Sequence, residues 1–153
     1  MNTNIEIDIY NASSLPRVPR AAISDAITRT CSLHRCRTAR VSVVLVNDRR
    51  IRAMNVEFLN HDYATDVITF PLDDEAVDGE IYISVETAAR QAKEYNVSFK
   101  QELLRLVIHG VLHLLGFDDA TPELREGMHQ EENRVLEALE NNRAQAKQKK
   151  KSK

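Results

Sequence analysis

The feature that most constrains the fold is an apolar run near residue 110 that contains two histidines. It reads Leu106-Val-Ile-His-Gly-Val-Leu-His-Leu-Leu-Gly-Phe-Asp-Asp119. Residues four apart on an α-helix lie about one turn apart on the same face, so His109 and His113 can present both imidazoles to one point. Gly116 suits the left-handed residue that commonly ends a helix. The run predicts a mostly buried helix followed by a tight turn.

Asp119 lies just beyond this turn and can bring a carboxylate toward the two imidazoles. Two neutral imidazoles and one carboxylate form a ligand set typical of catalytic zinc, which keeps a further position for water or substrate. Alternatively, both histidines belong to a buried helix and are satisfied by hydrogen bonds. The complete pattern favours one zinc ion per chain, with His109, His113 and Asp119 as metal ligands on a helix and its C-terminal turn.

The two cysteines carry a weaker signal. Cys31 and Cys36 are five residues apart and do not match the CxxC spacing, so we expect free thiols in a cytosolic protein. His34 lies between them, which leaves a second zinc site as a minor alternative.

Length and hydropathy limit the number of domains and the location of the protein. A chain of 153 residues suits one compact domain, and no stretch reaches the roughly 18 to 20 apolar residues that span a bilayer. The first ten residues alternate as in a strand and lack the pattern of a secretory signal. We therefore expect a cytoplasmic protein with no membrane partner.

Charge is unevenly distributed along the chain, although the net charge is only −2. Residues 1–60 have a balance of +4, residues 61–142 a balance of −12, and residues 143–153 contain six basic groups and no acidic group. This asymmetry suits a nucleic-acid partner because phosphates require positive charge. Solvated surfaces without a partner explain it equally well.

Hydrophobic periodicity predicts one α+β domain with four strands and five helices. The last helix is expected to start with Thr121 and Pro122 and to end near Asn141, and Asn47 or Asp48 to cap the second helix. Ser98 and Glu102 only suggest a cap for the histidine helix. Residues 1–142 form the predicted domain and residues 143–153 a disordered basic tail. The predicted strands are 4–10, 39–46, 67–70 and 80–84, with an acidic turn at 73–79, and the other helices are 20–32, 48–58, 85–95 and 98–115.

The residue after the first histidine bears on whether the chain is a peptidase. Zincin peptidases place a glutamate directly after the first histidine to accept the proton of the attacking water, but this chain has Gly110 there. A conventional protease is therefore disfavoured. A glycine at this position also allows another backbone to pack closely against the helix.

Four motifs together resemble the YbeY family of bacterial rRNA maturation factors. The resemblance covers about residues 38–140, with the motifs in the family's order. In chain order, the first motif is Asn55-x-x-Phe58 with Asp62-x-x-Thr-Asp-Val-Ile-Thr-Phe-Pro71, and the second is Gly79-Glu-Ile-Tyr-Ile-Ser84 with Glu86-Thr-Ala-Ala-Arg-Gln-Ala92. The third is His109-Gly-x-Leu-His-Leu-x-Gly-Phe-Asp118, and the fourth is Met128-x-x-Glu131.

The resemblance implies a single α+β domain, with a small mixed sheet flanked by helices and zinc at the histidines. It implies a hydrolase, namely a single-strand-specific endoribonuclease that processes the 3′ end of 16S rRNA and acts in ribosome biogenesis and quality control. The implied partners are single-stranded rRNA, the ribosome, and ribosomal proteins or an assembly GTPase.

Two departures from the family pattern bear on the site. The third ligand is usually histidine, whereas this chain has Asp119, which weakens the site's positive charge and can broaden its metal choice toward manganese. Asp118, beside it, matches the family's own aspartate, and we expect it to orient an imidazole. His129, on the next helix, is an alternative third ligand.

The other departure is Leu59, where the family typically has an arginine that can clamp phosphate. Three arginines of the preceding helix offer replacements, and the adjacent loop residues His61 and Asp62 offer proton transfer or simple solvation. Without that arginine, a metal-containing but non-catalytic ribosome-assembly factor is the main alternative. A zinc peptidase that uses Glu80 or Glu102 as base is a further one. The three arginines are Arg49, Arg50 and Arg52.

Overall fold

The computed structural model describes residues 3–151, within which the chain forms four strands and five helices. The predicted α+β class, with a four-stranded mixed sheet and five flanking helices, is confirmed. In chain order the elements are β1 (Asn4–Asn11), α1 (Arg20–Leu33), β2 (Thr38–Val46), α2 (Asp48–Leu59), β3 (Val67–Pro71), β4 (Val77–Ser84), α3 (Val85–Glu94), α4 (Phe99–Leu114) and α5 (Pro122–Lys151).

The sheet has the strand order β1-β2-β4-β3. β1, β2 and β4 are parallel, with Ile7 opposite Val41 and Val41 opposite Gly79, whereas β3 runs antiparallel to β4. β3 therefore forms one edge of the sheet, and α4 packs against both β3 and β4.

Alternation along the strands divides the core between the two faces of the sheet, because successive side chains point to opposite faces. One face packs against α1, α3, α4 and α5 in the main core, which includes Val43 and Ile81. The other face packs against α2 in a smaller cluster formed by Val46, Ile51, Met54 and Ile68. Consequently, α2 lies on the side of the sheet opposite α4.

The predicted helix starts are partly confirmed. Thr121 Oγ1 accepts a hydrogen bond from Leu124 N, and Ser98 Oγ accepts one from Gln101 N. Asn47 is the N-cap residue of α2 but makes no side-chain cap, because its Oδ1 accepts from Ser14. Glu102 is buried rather than reaching back to a cap.

The last helix differs most from prediction. The sequence predicts that it ends near Asn141 and that residues 143–153 are disordered, whereas α5 continues to Lys151. Ala, Gln, Lys and Arg dominate this segment and all favour helix, which explains the extension. Residues 152 and 153 lie outside the described part, and the domain boundary at residue 142 stays a prediction.

None of the helices within residues 3–151 combines the length and the apolar character that a membrane span requires.

β4 begins earlier than predicted, because Val77, Asp78 and Gly79 belong to the strand rather than to the acidic turn. Gly79 lies against α4, and a Cβ built on it would overlap Leu114 Cδ2 and lie 2.7 Å from the Phe70 carbonyl oxygen. The missing side chain lets the C-terminal end of α4 approach the sheet.

Gly110 makes the corresponding approach from the helix. A Cβ there would lie 2.7 Å from both Cδ1 and Cγ2 of Ile81, a fully buried residue of β4. The sequence suggests that Gly110 admits a second backbone, whereas its close neighbour in the structure is the side chain of Ile81.

Replacing Gly110 with alanine should destabilise the fold despite alanine's higher helix propensity. Overpacking a core costs about 2 kcal/mol in the middle of its usual range, which exceeds the roughly 1 kcal/mol gained when alanine replaces glycine in a helix. Gly127→Ala is the matched control, because Gly127 is also helical and a Cβ there meets nothing within 4 Å. Chemical denaturation should show Gly110→Ala less stable and Gly127→Ala more stable than wild type. Equal shifts would contradict the packing argument.

Candidate metal centre

The two histidines of α4 face one another one helical turn apart. Their Nε2 atoms are 3.1 Å apart, and their rings are nearly perpendicular at 79°. Asp119 Oδ2 lies 3.3 Å from His109 Nε2 and 3.6 Å from His113 Nε2. The structure therefore brings together all three residues that the sequence predicts as metal ligands.

The outer nitrogens of both rings are occupied by acceptors. His113 Nδ1 donates to the carbonyl oxygen of Phe117 at 3.1 Å, and His109 Nδ1 lies 2.8 Å from Glu132 Oε2. Because the Nδ1 atoms serve as donors, the Nε2 atom of each neutral ring carries a lone pair. Two lone pairs and a carboxylate oxygen then converge on one point, an arrangement that a cation stabilises.

The spacing of these atoms suits a tetrahedral ion. Ligands about 2.0–2.1 Å from a zinc-like ion lie about 3.3 Å from one another, and the three separations are 3.1, 3.3 and 3.6 Å. Within the described residues, these three form the metal-capable group of His, Cys, Asp and Glu side chains. His109, His113 and Asp119 can therefore hold a divalent metal.

The turn after α4 brings Asp119 to the histidines. Gly116 has φ of +102°, which favours glycine, and Phe117 N returns to donate to Leu112 O. Asp118 Oδ1 accepts from the backbone N–H groups of Asp119 and Ala120 at 2.7 and 3.2 Å. Asp118 thus stabilises the turn, and the prediction that it orients an imidazole finds no support in these contacts.

The alternative third ligand, His129, lies outside the group. Its side chain is 60% exposed, and its Nδ1 lies 3.4 Å from Glu132 Oε1. The geometry favours Asp119 over His129.

The surroundings of His109 favour positive charge. Burial by itself would lower the pKa of His109, but the hydrogen bond to Glu132 and the charges of Glu132, Asp119 and Asp66 raise it above its ordinary value. A field that favours an extra proton on the ring also favours a divalent cation beside it.

Glu102 continues this polar row along α4, two turns before His109. Its side chain is only 2% exposed, its Oε1 has no hydrogen-bond partner, and Arg105 Nε lies 3.8 Å away. Burial raises the pKa of Glu102 to about 7, against a partial lowering by Arg105. Glu102 is therefore a buried acid that has only a long ion pair with Arg105.

Replacing Glu102 with glutamine should stabilise the metal-free protein at pH 8 but not at pH 5. The folded-state pKa of about 7 exceeds the ordinary 4.5, so wild type loses stability as pH rises through this interval. We expect a gain of about 3 kcal/mol in the free energy of unfolding at pH 8. Urea denaturation at both pH values measures it, with the exposed Glu57→Gln as control. A gain of the same size at pH 5 would contradict a buried ionisation.

The other predicted site residues lie away from the histidines. Glu80, a peptidase base in the sequence analysis, alternates with Ile81 and so faces the side of the sheet opposite α4. Arg49, Arg50 and Arg52 lie on α2, which also packs on that side.

The loop after α2 holds its own residues together. Asp62 pairs with Arg52 at 2.8 Å, and His61 contacts Tyr63 with ring centroids 5.4 Å apart. Leu59 ends α2 with 47% of its surface exposed. This loop supplies no partner to the three converging ligand atoms.

The cysteine region offers little metal chemistry. Cys31 and Cys36 are free, as predicted, and burial together with the nearby Cys36 raises the pKa of Cys31 to about 12. His34 uses one ring nitrogen on Thr30 O at 2.9 Å and the other on Glu131 at 3.0 Å. These contacts disfavour a second zinc site there.

Glu132 is the site residue that sequence reasoning missed. It is 2% exposed, and it contacts His109 and Arg105. A signal was present, because Glu132 lies four residues after Met128 and three before Val135, both buried in the core. A carboxylate on the apolar face of a helix requires a partner, but only the fold shows that this partner is His109.

Fold and site together define a class of small α+β domains that carry a metal-capable His-His-Asp group at the end of a buried helix. The family model described as Endoribonuclease YbeY matches residues 8–140. The chain belongs to the YbeY family.

Relatives at moderate identity support this assignment. Endoribonuclease YbeY of Chloroherpeton thalassium is 46% identical over 80% of this chain and 87% of its own length, and that of Chlorobaculum parvum is 37% identical over 87% and 94%. The solution structure of TM1509 from Thermotoga maritima is similar with a TM-score of 0.62 and 31% identity, covering 89% of this chain and 93% of that one.

Proposed function

We propose that this chain is a metal-dependent endoribonuclease that cleaves single-stranded RNA. Its role is in maturation of the 3′ end of 16S rRNA and in ribosome quality control, in the cytoplasm. The observation that supports the proposal is the convergence of His109 Nε2, His113 Nε2 and Asp119 Oδ2 within 4.8 Å of one another, in a chain whose relatives are named endoribonucleases.

The proposed ligands are His109, His113 and Asp119, holding one zinc ion per chain. When bound, zinc would supply a Lewis acid that stabilises charge on a phosphate oxygen and helps activate the nucleophile. His113 is held by the Phe117 carbonyl and His109 by Glu132, and both rings are thereby oriented toward Asp119. Asp119 is 37% exposed, which leaves an approach from solvent for a substrate.

Positive charge elsewhere suits an RNA partner. Residues 1–60 carry an excess of four positive charges, and Arg143 and Lys147 are four apart on helical α5, which places them on one face. We propose that these groups contact RNA phosphates. The ribosome, ribosomal proteins and an assembly GTPase are the further proposed partners.

Zinc content and RNA cleavage, measured together, test the proposal. Wild type should bind about one zinc per chain and cleave a single-stranded RNA, and His113→Ala should reduce both. The loss of cleavage should be about 100-fold or more, because even residues that only support a ligand contribute about 10–100-fold. His61→Ala is the matched control, since His61 is an exposed histidine in the loop after α2, outside the group. Metals are quantified by mass spectrometry and cleavage by gel.

A second function is favoured by one observation, the leucine at position 59. A ribosome-assembly factor that binds RNA and retains the metal for structure would bind zinc without cleaving RNA under any divalent ion. That result would replace the endoribonuclease proposal, whereas cleavage that survives loss of His113 would contradict the metal centre.

Restoring the arginine tests the role of Leu59 directly. Leu59 is half exposed, so Leu59→Arg should fold normally. A charge-assisted hydrogen bond to phosphate contributes about 1.5–3 kcal/mol, so we expect cleavage to rise about 10-fold or more. Leu59→Lys is the matched control, because it restores charge without the bidentate fork. Equal rates for the three proteins would show that position 59 does not contact the substrate.

A further inference from the structure

Glu132 connects α5 to the histidine that begins the candidate metal centre. Its Oε2 is 2.8 Å from His109 Nδ1, while its Oε1 is 3.2 Å from Arg105 Nη1 and 3.4 Å from His129 Nδ1. Its side chain is 2% exposed. The two carboxylate oxygens are thus divided between the candidate ligand and two cationic or polar partners.

A buried carboxylate is costly unless it is paired. Arg105 provides this pairing for Glu132 and is itself 23% exposed, so the guanidinium lies between the buried carboxylate and solvent. The arrangement leaves Oε2 to accept a hydrogen bond from one donor, the Nδ1–H of His109.

We propose that Glu132 is a positioning residue for the metal centre. By accepting the Nδ1–H of His109, it selects the tautomer with a free Nε2 lone pair and holds the ring toward His113 and Asp119. This inference rests on the proposed metal centre but does not require RNA cleavage.

The two imidazoles depend on different kinds of support. His113 is held by the Phe117 carbonyl, which no side-chain substitution removes, whereas His109 is held by the side chain of Glu132. A carboxylate acceptor also makes the ring a better electron donor to a metal, and such support is typically worth about 10–100-fold in metal affinity. Substitution of Glu132 should therefore weaken metal binding through His109 alone.

The neighbouring residue provides a matched control. Glu131 on α5 also contacts a histidine ring nitrogen, His34 Nε2 at 3.0 Å, but His34 lies outside the metal-capable group. Glu131→Gln and Glu132→Gln each remove one carboxylate from a histidine contact on the same helix. Only the second should affect the metal.

The experiment measures the zinc dissociation constant by competition with a chromogenic chelator, using the full chain and zinc alone. We expect about a 10–100-fold increase for Glu132→Gln and no change for Glu131→Gln. In a His109→Ala background, Glu132→Gln should have no additional effect, because its contribution acts through that ring. If Glu132 had only a structural role, Glu132→Gln would lower stability, and it would still weaken zinc binding in the His109→Ala background.

A measurement on wild type avoids dependence on variant folding. Nitrogen-15 NMR of the imidazoles in the zinc-loaded protein should show His109 protonated at Nδ1 and bonded to zinc through Nε2. Zinc bound through Nδ1, or unchanged affinity in Glu132→Gln, would overturn the inference. Zinc binding without RNA cleavage would overturn only the proposed function, whereas absence of zinc binding by wild type would overturn both.

Discussion

The close approach of α4 to the sheet is the constraint on which the rest of the structure depends. Gly110 and Gly79 leave no room for a Cβ between helix and strand, so α4 lies directly on Ile81 and on the end of β3. That contact fixes the rotation of the helix about its axis. Given the rotation, His109 and His113 must lie along the flank of α4, partly exposed, rather than in the core.

The same rotation produces a row of polar groups along that flank. Glu102, Arg105, His109 and His113 follow one another at helical spacing, and α5 covers the row with the carboxylate of Glu132. Arg105 and His109 both contact Glu132, and His109 contacts His113, whereas Glu102 Oε1 has no hydrogen-bond partner. Partial burial makes these interactions stronger than they would be in water, and this orders the two histidines of the candidate metal centre.

The sequence predicts what depends on local spacing. The four-residue interval of the histidines, Gly116 at the helix end and the alternation of the strands are all local, and each was predicted correctly. Glu132 was missed because its partner lies 23 residues away. The prediction for Asp118 finds no support, because its Oδ1 accepts from two adjacent backbone N–H groups. α5 continues past the predicted end near Asn141 because the helix propensity of its Ala, Gln, Lys and Arg residues outweighs the repulsion of its basic groups. Ligation by the three residues stays a prediction.

Gly110 also explains why the histidine spacing of a peptidase does not bring peptidase chemistry with it. A glutamate after the first histidine would have to place its side chain where Ile81 already lies, so this helix cannot carry the proton acceptor of the zincins and also pack on this sheet. Glu80 faces the opposite side, and Glu102 is buried two turns away beside Arg105. A substrate that needs charge stabilisation more than a glutamate base fits this site better, and a phosphodiester is such a substrate.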